Sequence, residues 1–214
     1  MQWAKNYQLL LFDFDGLLVD TERIHYQAYL NMCSNRGFDL GWSFETFCAS
    51  AHYDSKQLRI DLYKALPELH KQEPNWSVLY TEKKKGYMEL LREMKPDLMP
   101  GVEKLLFFLH EHNIPRYVVT HSPKEQIDLI RKKHDCLQTI PHWITREDYE
   151  LSKPHPEPYL TAIKHYGNAP QKIIGFEDSP RGIFSLLDTQ AAQPVLINEN
   201  VPQKLEPLIK EKKI

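Results

Sequence analysis

The run Leu9-Leu10-Leu11-Phe12 ends abruptly in Asp13-Phe14-Asp15-Gly16, and few folds accommodate four apolar residues followed at once by two carboxylates. A strand covered on both faces of a parallel α/β sheet reads as an unbroken apolar run. Ligands of such sheets bind beyond the carboxyl ends of the strands, in the crevice left by the connections. Asp13 and Asp15 are therefore expected at that edge, with Phe14 turned back into the core. Taken alone, such a stretch is more often an ordinary strand end with solvated acids, so the decision falls to the rest of the chain.

After Val19-Asp20-Thr21 the pattern becomes helical and carries no convincing strand up to about residue 95. Ile24, Ala28 and Met32 share one helix face, and Asn35-Arg36-Gly37 supplies a stop. Leu58, Leu62 and Leu66 repeat that spacing until Pro67. Leu79 to Met94 reads as a third long helix, on which Lys83-Lys84-Lys85 forms a solvated face. From Pro100-Gly101 the rhythm changes to a helix at Val102 to His112 and strands at Tyr117 to Thr120, Trp143 to Thr145, Ile173 to Phe176 and Val195 to Ile197, with helices between. Alternation of this kind implies a doubly wound parallel sheet. The expected fold is thus α/β, a Rossmann-like core from residues 1–19 and 97–214 with an all-helical cap, residues 20–96, placed to act as a lid.

Composition narrows the classes. The 214 residues are 42% hydrophobic and 26% charged, enough for one globular chain with a subdomain. A net charge of -2 gives no basic field for nucleic acid or an anionic membrane surface. Apolar runs such as Leu105 to Leu109 are too short to cross a bilayer, and residues 1–8 lack a secretory signal pattern. Cys33, Cys48 and Cys136 are widely spaced and fit neither a disulfide framework nor a zinc site. A cytoplasmic location is expected, as a monomer or weak homodimer.

Three further segments carry candidate chemistry. In Val118-Val119-Thr120-His121-Ser122-Pro123-Lys124-Glu125, Ser122 fits a helix N-cap, Pro123 the first helical position and Glu125 a capping box. Thr120 and the amide of His121 would then face a helix N-terminus, a natural seat for a phosphate oxygen. The His121 side chain has no assigned role. Ser152-Lys153-Pro154-His155-Pro156-Glu157-Pro158 is a stiff, extended mount for a lysine. Gly175-Phe176-Glu177-Asp178-Ser179-Pro180-Arg181-Gly182 is again a strand ending in acids, with Ser179 as N-cap and Pro180 at N1. Asp13, Asp15, Glu177 and Asp178 would put four carboxylates at neighbouring strand ends. Like charges about 4 Å apart cost roughly 4 kcal/mol per pair at an effective dielectric near 20. A hard divalent cation with one lysine relieves that, and magnesium takes such oxygen ligands.

With these pieces in order, the chain resembles the haloacid dehalogenase-like superfamily, in its capped phosphatase and phosphomutase branch. The resemblance rests on Asp13–Glu22, Val118–Ser122, Ser152–Pro158 and Gly175–Ile183. It implies a phosphohydrolase acting on a small phosphorylated metabolite, a sugar phosphate or similar monophosphate. Asp13 would be the nucleophile that becomes an aspartyl-phosphate, and Asp15 the acid and base. Thr120 and Lys153 would hold the phosphate. Magnesium would be bound by Asp13, Asp178 and the backbone carbonyl of Asp15, with Glu177 assisting its shell. The superfamily's dehalogenases lack an acid at the Asp15 position, which argues for phosphoryl transfer.

Two departures matter. After the last motif, Phe184 to Ala191 offers no glycine for the helix C-cap, which puts that turn in question. In the cap, Ala51-His52-Tyr53-Asp54-Ser55-Lys56-Gln57-Leu58 aligns with a loop whose arginine grips a second phosphate in β-phosphoglucomutase. Asp54 stands where that arginine belongs, so hydrolysis is favoured over a phosphomutase. A non-catalytic binding protein on the same scaffold is the third reading. His25 either faces the crevice or is a solvated helical histidine, and His52, Tyr53 and Lys56 are candidates for substrate contact.

Overall fold

The computed structural model describes residues 1–51, 55–167 and 171–197. The segments divide into two compact units, Met1–Asp20 with the chain from Asp97 on, and Thr21–Pro96. The first is built on five parallel strands, β1 (Leu9–Phe12), β2 (Arg116–Val119), β3 (His142–Ile144), β4 (Ile173–Glu177) and β5 (Ala192–Leu196), in the order β3-β2-β1-β4-β5. The apolar run at the start is the central strand, and all four of its residues are buried. Its register, Phe12 opposite Val118 and Phe176, brings the strand ends level, so that Asp13, Thr120 and Glu177 emerge side by side. Phe14 turns inward, fully buried, with its ring edge-on to Trp143 at 5.5 Å.

Helices α6 (Val102–Glu111), α7 (Lys124–Arg131), α8 (Asp135–Gln138), α9 (Glu157–Tyr166) and α10 (Pro180–Leu187) belong to this unit. On one face Leu9, Leu11, Val119, Tyr159, Ala162 and Leu186 form a single apolar core. Gly175 lets α10 lie against β4, because a Cβ there would meet the Leu186 side chain at 2.5 Å. β5 starts earlier than the sequence pattern suggests, at Ala192, and includes Pro194. An edge strand tolerates the missing N–H.

The glycine absent after α10 is replaced by Gln190, whose φ of 55° makes the left-handed turn. Asp188, Thr189 and Gln190 donate back to Phe184, Leu186 and Leu187 and satisfy the helix end. The helix at Lys124 differs from its expected start: Pro123, not Ser122, is the N-cap, and no side chain caps α7 there. Its first N–H instead donates to the Glu147 carboxylate at 3.2 Å, and Ser122 is released for other work.

The second unit holds α1 (Glu22–Asn35), α2 (Phe44–Ala51), α3 (Ser55–Ala65), α4 (Pro67–Gln72) and α5 (Trp76–Glu93). Ile24, Ala28 and Met32 are buried as their spacing requires, and Pro67 opens α4 at its first position. Tyr29, Phe47, Leu62, Leu69 and Leu79 share its core. The lysine run is not uniformly solvated, since Lys83 is only 4% exposed. Its ammonium lies 2.6 Å from His25 Nδ1 and within about 5 Å of the Tyr29 and Tyr87 rings.

A left-handed conformation costs an L-residue with a side chain roughly 1 kcal/mol, part of which glycine's extra unfolded-state entropy offsets. Gln190→Gly is therefore expected to raise unfolding stability by about 0.5 kcal/mol, measured by urea denaturation.

Candidate active site

Each functional group is delivered by a strand end or by the segment just beyond one. Asp13 follows β1 and is tied to β4 by its amide, which donates to the Phe176 carbonyl at 3.0 Å. Lys153 reaches the same point from its proline-rich segment, where the Lys153–Pro154 peptide is cis. Its ammonium donates to Asp13 Oδ1 at 2.6 Å, to Glu177 Oε1 at 2.7 Å, to the Val119 carbonyl at 2.8 Å and to the Tyr159 hydroxyl at 3.1 Å. The Tyr159 hydroxyl itself donates to Glu177 Oε1. Lys153 is 9% exposed and Glu177 is fully buried, so neither charge could persist without the other.

Burial alone would lower the Lys153 pKa, but the Asp13 and Glu177 carboxylates overcome it and the net shift is upward. Glu177 is pushed up to about 7 by burial and then by Asp13, against the pull of Lys153. Burial leads the Glu177 shift and the Asp13 charge adds to it, while the Asp13 and Glu177 carboxylates raise Lys153, so negative charge exceeds the single ammonium. Asp178 adds to it: oxygens of Asp13, Glu177 and Asp178 lie within 4.8 Å of one another. A set of hard oxygen donors with uncompensated charge fits a hard divalent cation. Both Glu177 oxygens are engaged, Oε1 by Lys153 and Tyr159 and Oε2 by Ser179 Oγ at 3.5 Å, whereas Lys153 takes only Oδ1 of Asp13, which makes Asp13 the better placed donor of the two.

Asp15 belongs to a second group. Its Oδ2 accepts from Ser122 Oγ at 2.6 Å and from Thr120 Oγ1 at 3.2 Å. Gln126 Nε2 supports the arrangement, 2.8 Å from Ser122 Oγ and 3.5 Å from Asp15 Oδ1. The four acids thus divide: three converge at the carboxyl ends of β1 and β4, while Asp15 leans toward the β2 side. Ser122 and Gln126 escaped the sequence reading because a serine before proline at a helix start reads as a cap. Ser122 lies just before the α7 N-cap and Gln126 in the first turn of α7, and the hydrogen bond between them, Gln126 Nε2 to Ser122 Oγ, depends on that turn rather than on a shared helix face.

His121 follows Thr120 and is exposed. Its Nδ1 lies 3.2 Å from the Tyr149 hydroxyl, which donates to the Thr120 carbonyl at 2.9 Å. Partial withdrawal of the ring from water, then the Arg181, Arg146 and Lys153 cations, push its imidazole down to about 4. His25 lies in the helical unit, stacked on Tyr87 at 4.0 Å and bonded to Lys83. Burial and then Lys83 hold its pKa well below the ordinary value. His52, Tyr53 and Asp54 fall outside the described residues.

A family model for haloacid dehalogenase-like hydrolases matches residues 10–192. Among curated proteins, the mitochondrial (DL)-glycerol-3-phosphatase 1 of Arabidopsis thaliana is 26% identical over 81% of this chain; the match spans 58% of that protein's length. The phosphorylated carbohydrates phosphatase of Thermotoga maritima is 27% identical, over 82% of this chain and 78% of its own. Among solved structures, one described as a β-phosphoglucomutase from Thermotoga maritima superposes with a TM-score of 0.72 at 20% identity, covering 92% and 89% of the two chains. CbbY from Rhodobacter sphaeroides, in complex with xylulose-(1,5)bisphosphate, gives 0.70 at 17%, covering 92% and 89%. These two likenesses are likenesses of fold.

The network depends on Gly182, where a Cβ would lie 1.9 Å from the Glu177 carboxyl carbon. Gly182→Ala is expected to displace Glu177 and destabilise the protein by about 3 kcal/mol, the cost of breaking a buried ion pair, read by chemical denaturation. His25 supplies a pH signature. Unfolded, it takes up a proton near pH 6.5, whereas folded it stays neutral, so acidification favours the unfolded state. Stability should fall as pH drops below 6.5, and His25→Phe should flatten that dependence in denaturation midpoints taken between pH 7 and 5.

Proposed function

The chain belongs to the haloacid dehalogenase-like hydrolases, and from that we propose that it is a magnesium-dependent phosphoric monoester hydrolase acting on a small phosphorylated metabolite. The observation that carries the reading is the Lys153 ammonium, clamped between Asp13 and Glu177 at 2.6 and 2.7 Å beside Asp178. The phosphatase names of the curated relatives support it, and those for glycerol 3-phosphate and phosphorylated carbohydrates favour a polyol or sugar monophosphate.

In this reading Asp13 attacks phosphorus through a carboxylate oxygen and holds the phosphoryl group as an acyl phosphate. Lys153 holds the Asp13 carboxylate in place and meets the charge on the transferring oxygens. Asp15 protonates the leaving alkoxide and then takes the proton of the water that cleaves the aspartyl-phosphate. Hydrogen bonds from Ser122 and Thr120 to one oxygen, Oδ2, orient the side chain, with Gln126 at the limit of contact with Oδ1. A magnesium ion held by Asp13, Asp178 and the Asp15 carbonyl supplies the remaining charge neutralisation when bound. The helical unit, residues 21–96, serves as the cap that excludes water during transfer.

Phosphate release from a panel of phosphorylated metabolites, with magnesium and after chelation, tests this. Asp13→Asn should lower kcat by about 10³-fold or more while leaving the thermal midpoint near that of the wild type. Full activity in Asp13→Asn would exclude the covalent route. Interconversion of hexose 1- and 6-phosphates without phosphate release would make the enzyme a phosphomutase.

A further inference from the structure

Gln126 is a polar side chain on the inner face of α7, buried beside Ile127 and Ile130. Burying an amide is costly unless its hydrogen bonds are made, so what this one bonds is informative. Its Nε2 donates to Ser122 Oγ at 2.8 Å and presents the same end to Asp15 Oδ1, 3.5 Å away. An amide oxygen in that place would face a carboxylate, so the NH2 group is the end that fits.

An NH2 group donates and never accepts. Ser122 Oγ is therefore the acceptor toward Gln126, and its one hydrogen is left for Asp15 Oδ2 at 2.6 Å. The Ser122 amide treats Thr120 in the same way. It donates to Thr120 Oγ1 at 3.0 Å, and the Thr120 hydroxyl donates to Asp15 Oδ2 at 3.2 Å. Each hydroxyl thus stands between a donor-only N–H group and one carboxylate oxygen. A hydroxyl is otherwise a rotor that turns to suit its neighbours. Gln126 removes that freedom from Ser122.

We infer that Gln126 is a positioning residue for Asp15: through Ser122 it fixes the hydroxyl that holds the Asp15 carboxylate, and so speeds the step in which Asp15 protonates the leaving oxygen. The inference rests on the phosphatase reading and extends it to a residue that acts through another side chain. An acid must lie within hydrogen-bond reach of the atom it protonates, and small misplacements of it are costly in rate. Loss of such an acid falls hardest on esters whose leaving group departs poorly as an anion.

Two esters read that signature in kcat/KM: a polyol monophosphate, which leaves as an alkoxide, and a nitrophenyl monophosphate, whose phenolate leaves unaided. Gln126→Met keeps the shape of the side chain and removes the donor. It should lower kcat/KM by about tenfold for the alkyl ester and by no more than about twofold for the aryl ester. Gln126→Glu sets an acceptor against Ser122, turns its hydroxyl from Asp15, and should lower the alkyl ester further still. Equal loss on both esters, or no loss on the alkyl ester, overturns the assignment. Urea midpoints separate it from the phosphatase reading, since they need no turnover. The midpoint shift caused by Gln126→Met should fall by about half or more in an Asp15→Ala background and in a Ser122→Ala background. Such coupling upholds the link from Gln126 through Ser122 to Asp15 even if neither ester is hydrolysed, and additive shifts refute it even if both are.

Discussion

The Lys153 ammonium holds the site together. Two carboxylates at 2.6 and 2.7 Å attract it by roughly 6 kcal/mol each at an effective dielectric near 20. Burying the three charges costs several kcal/mol per ion. The balance is kept by two neutral partners, the Val119 carbonyl and the Tyr159 hydroxyl, which complete the ammonium's surroundings. Each partner comes from a different element, β1, β2, β4 and α9, so one side chain pins the level ends of three adjacent strands to a helix. Asp13 is thereby a fixed group, and the cost of fixing it is met by the apolar core beneath.

The second organising fact is that the two aspartates of the first motif have different surroundings although one residue separates them. Strand alternation sends consecutive side chains to opposite faces, and Phe14 takes the inward direction between them. Asp13 meets an ammonium, whereas Asp15 meets hydroxyls and an amide. The roles proposed for the two aspartates rest on this difference of partners and position.

Much of this was legible in the chain, for reasons that can be traced to particular residues. The parallel doubly wound sheet follows from buried apolar runs alternating with helices, and Asp13, Lys153, Glu177 and Asp178 become candidates when the strand ends and the proline-stiffened segment that carry them are taken together. Ser122 and Gln126 were not legible, because a serine before proline at a helix start has a local explanation, and only the position of Asp15 across the sheet edge overrides it. Lys83 was misread for a related reason. Three consecutive lysines cannot all lie on one helix face, yet the sequence does not say that His25 and Tyr87 are waiting for the first of them. Gln190 replaces a glycine at a cost small enough for the packing around α10 to absorb. Long-range pairing is the common element in what the sequence concealed.

The order in which the sheet is assembled has a consequence for synthesis. The strand at its centre is the first made, yet its two neighbours in space come from much later in the chain, and Lys153 follows Asp13 by 140 residues. At about 5–20 residues per second the ribosome leaves that interval open for roughly 7 to 28 s. During it the end of β1 carries acids whose ammonium partner has not yet been made, although β2 becomes available to pair with β1 before Lys153 appears. The ammonium-centred network can close only once Lys153 and Glu177 have both left the tunnel.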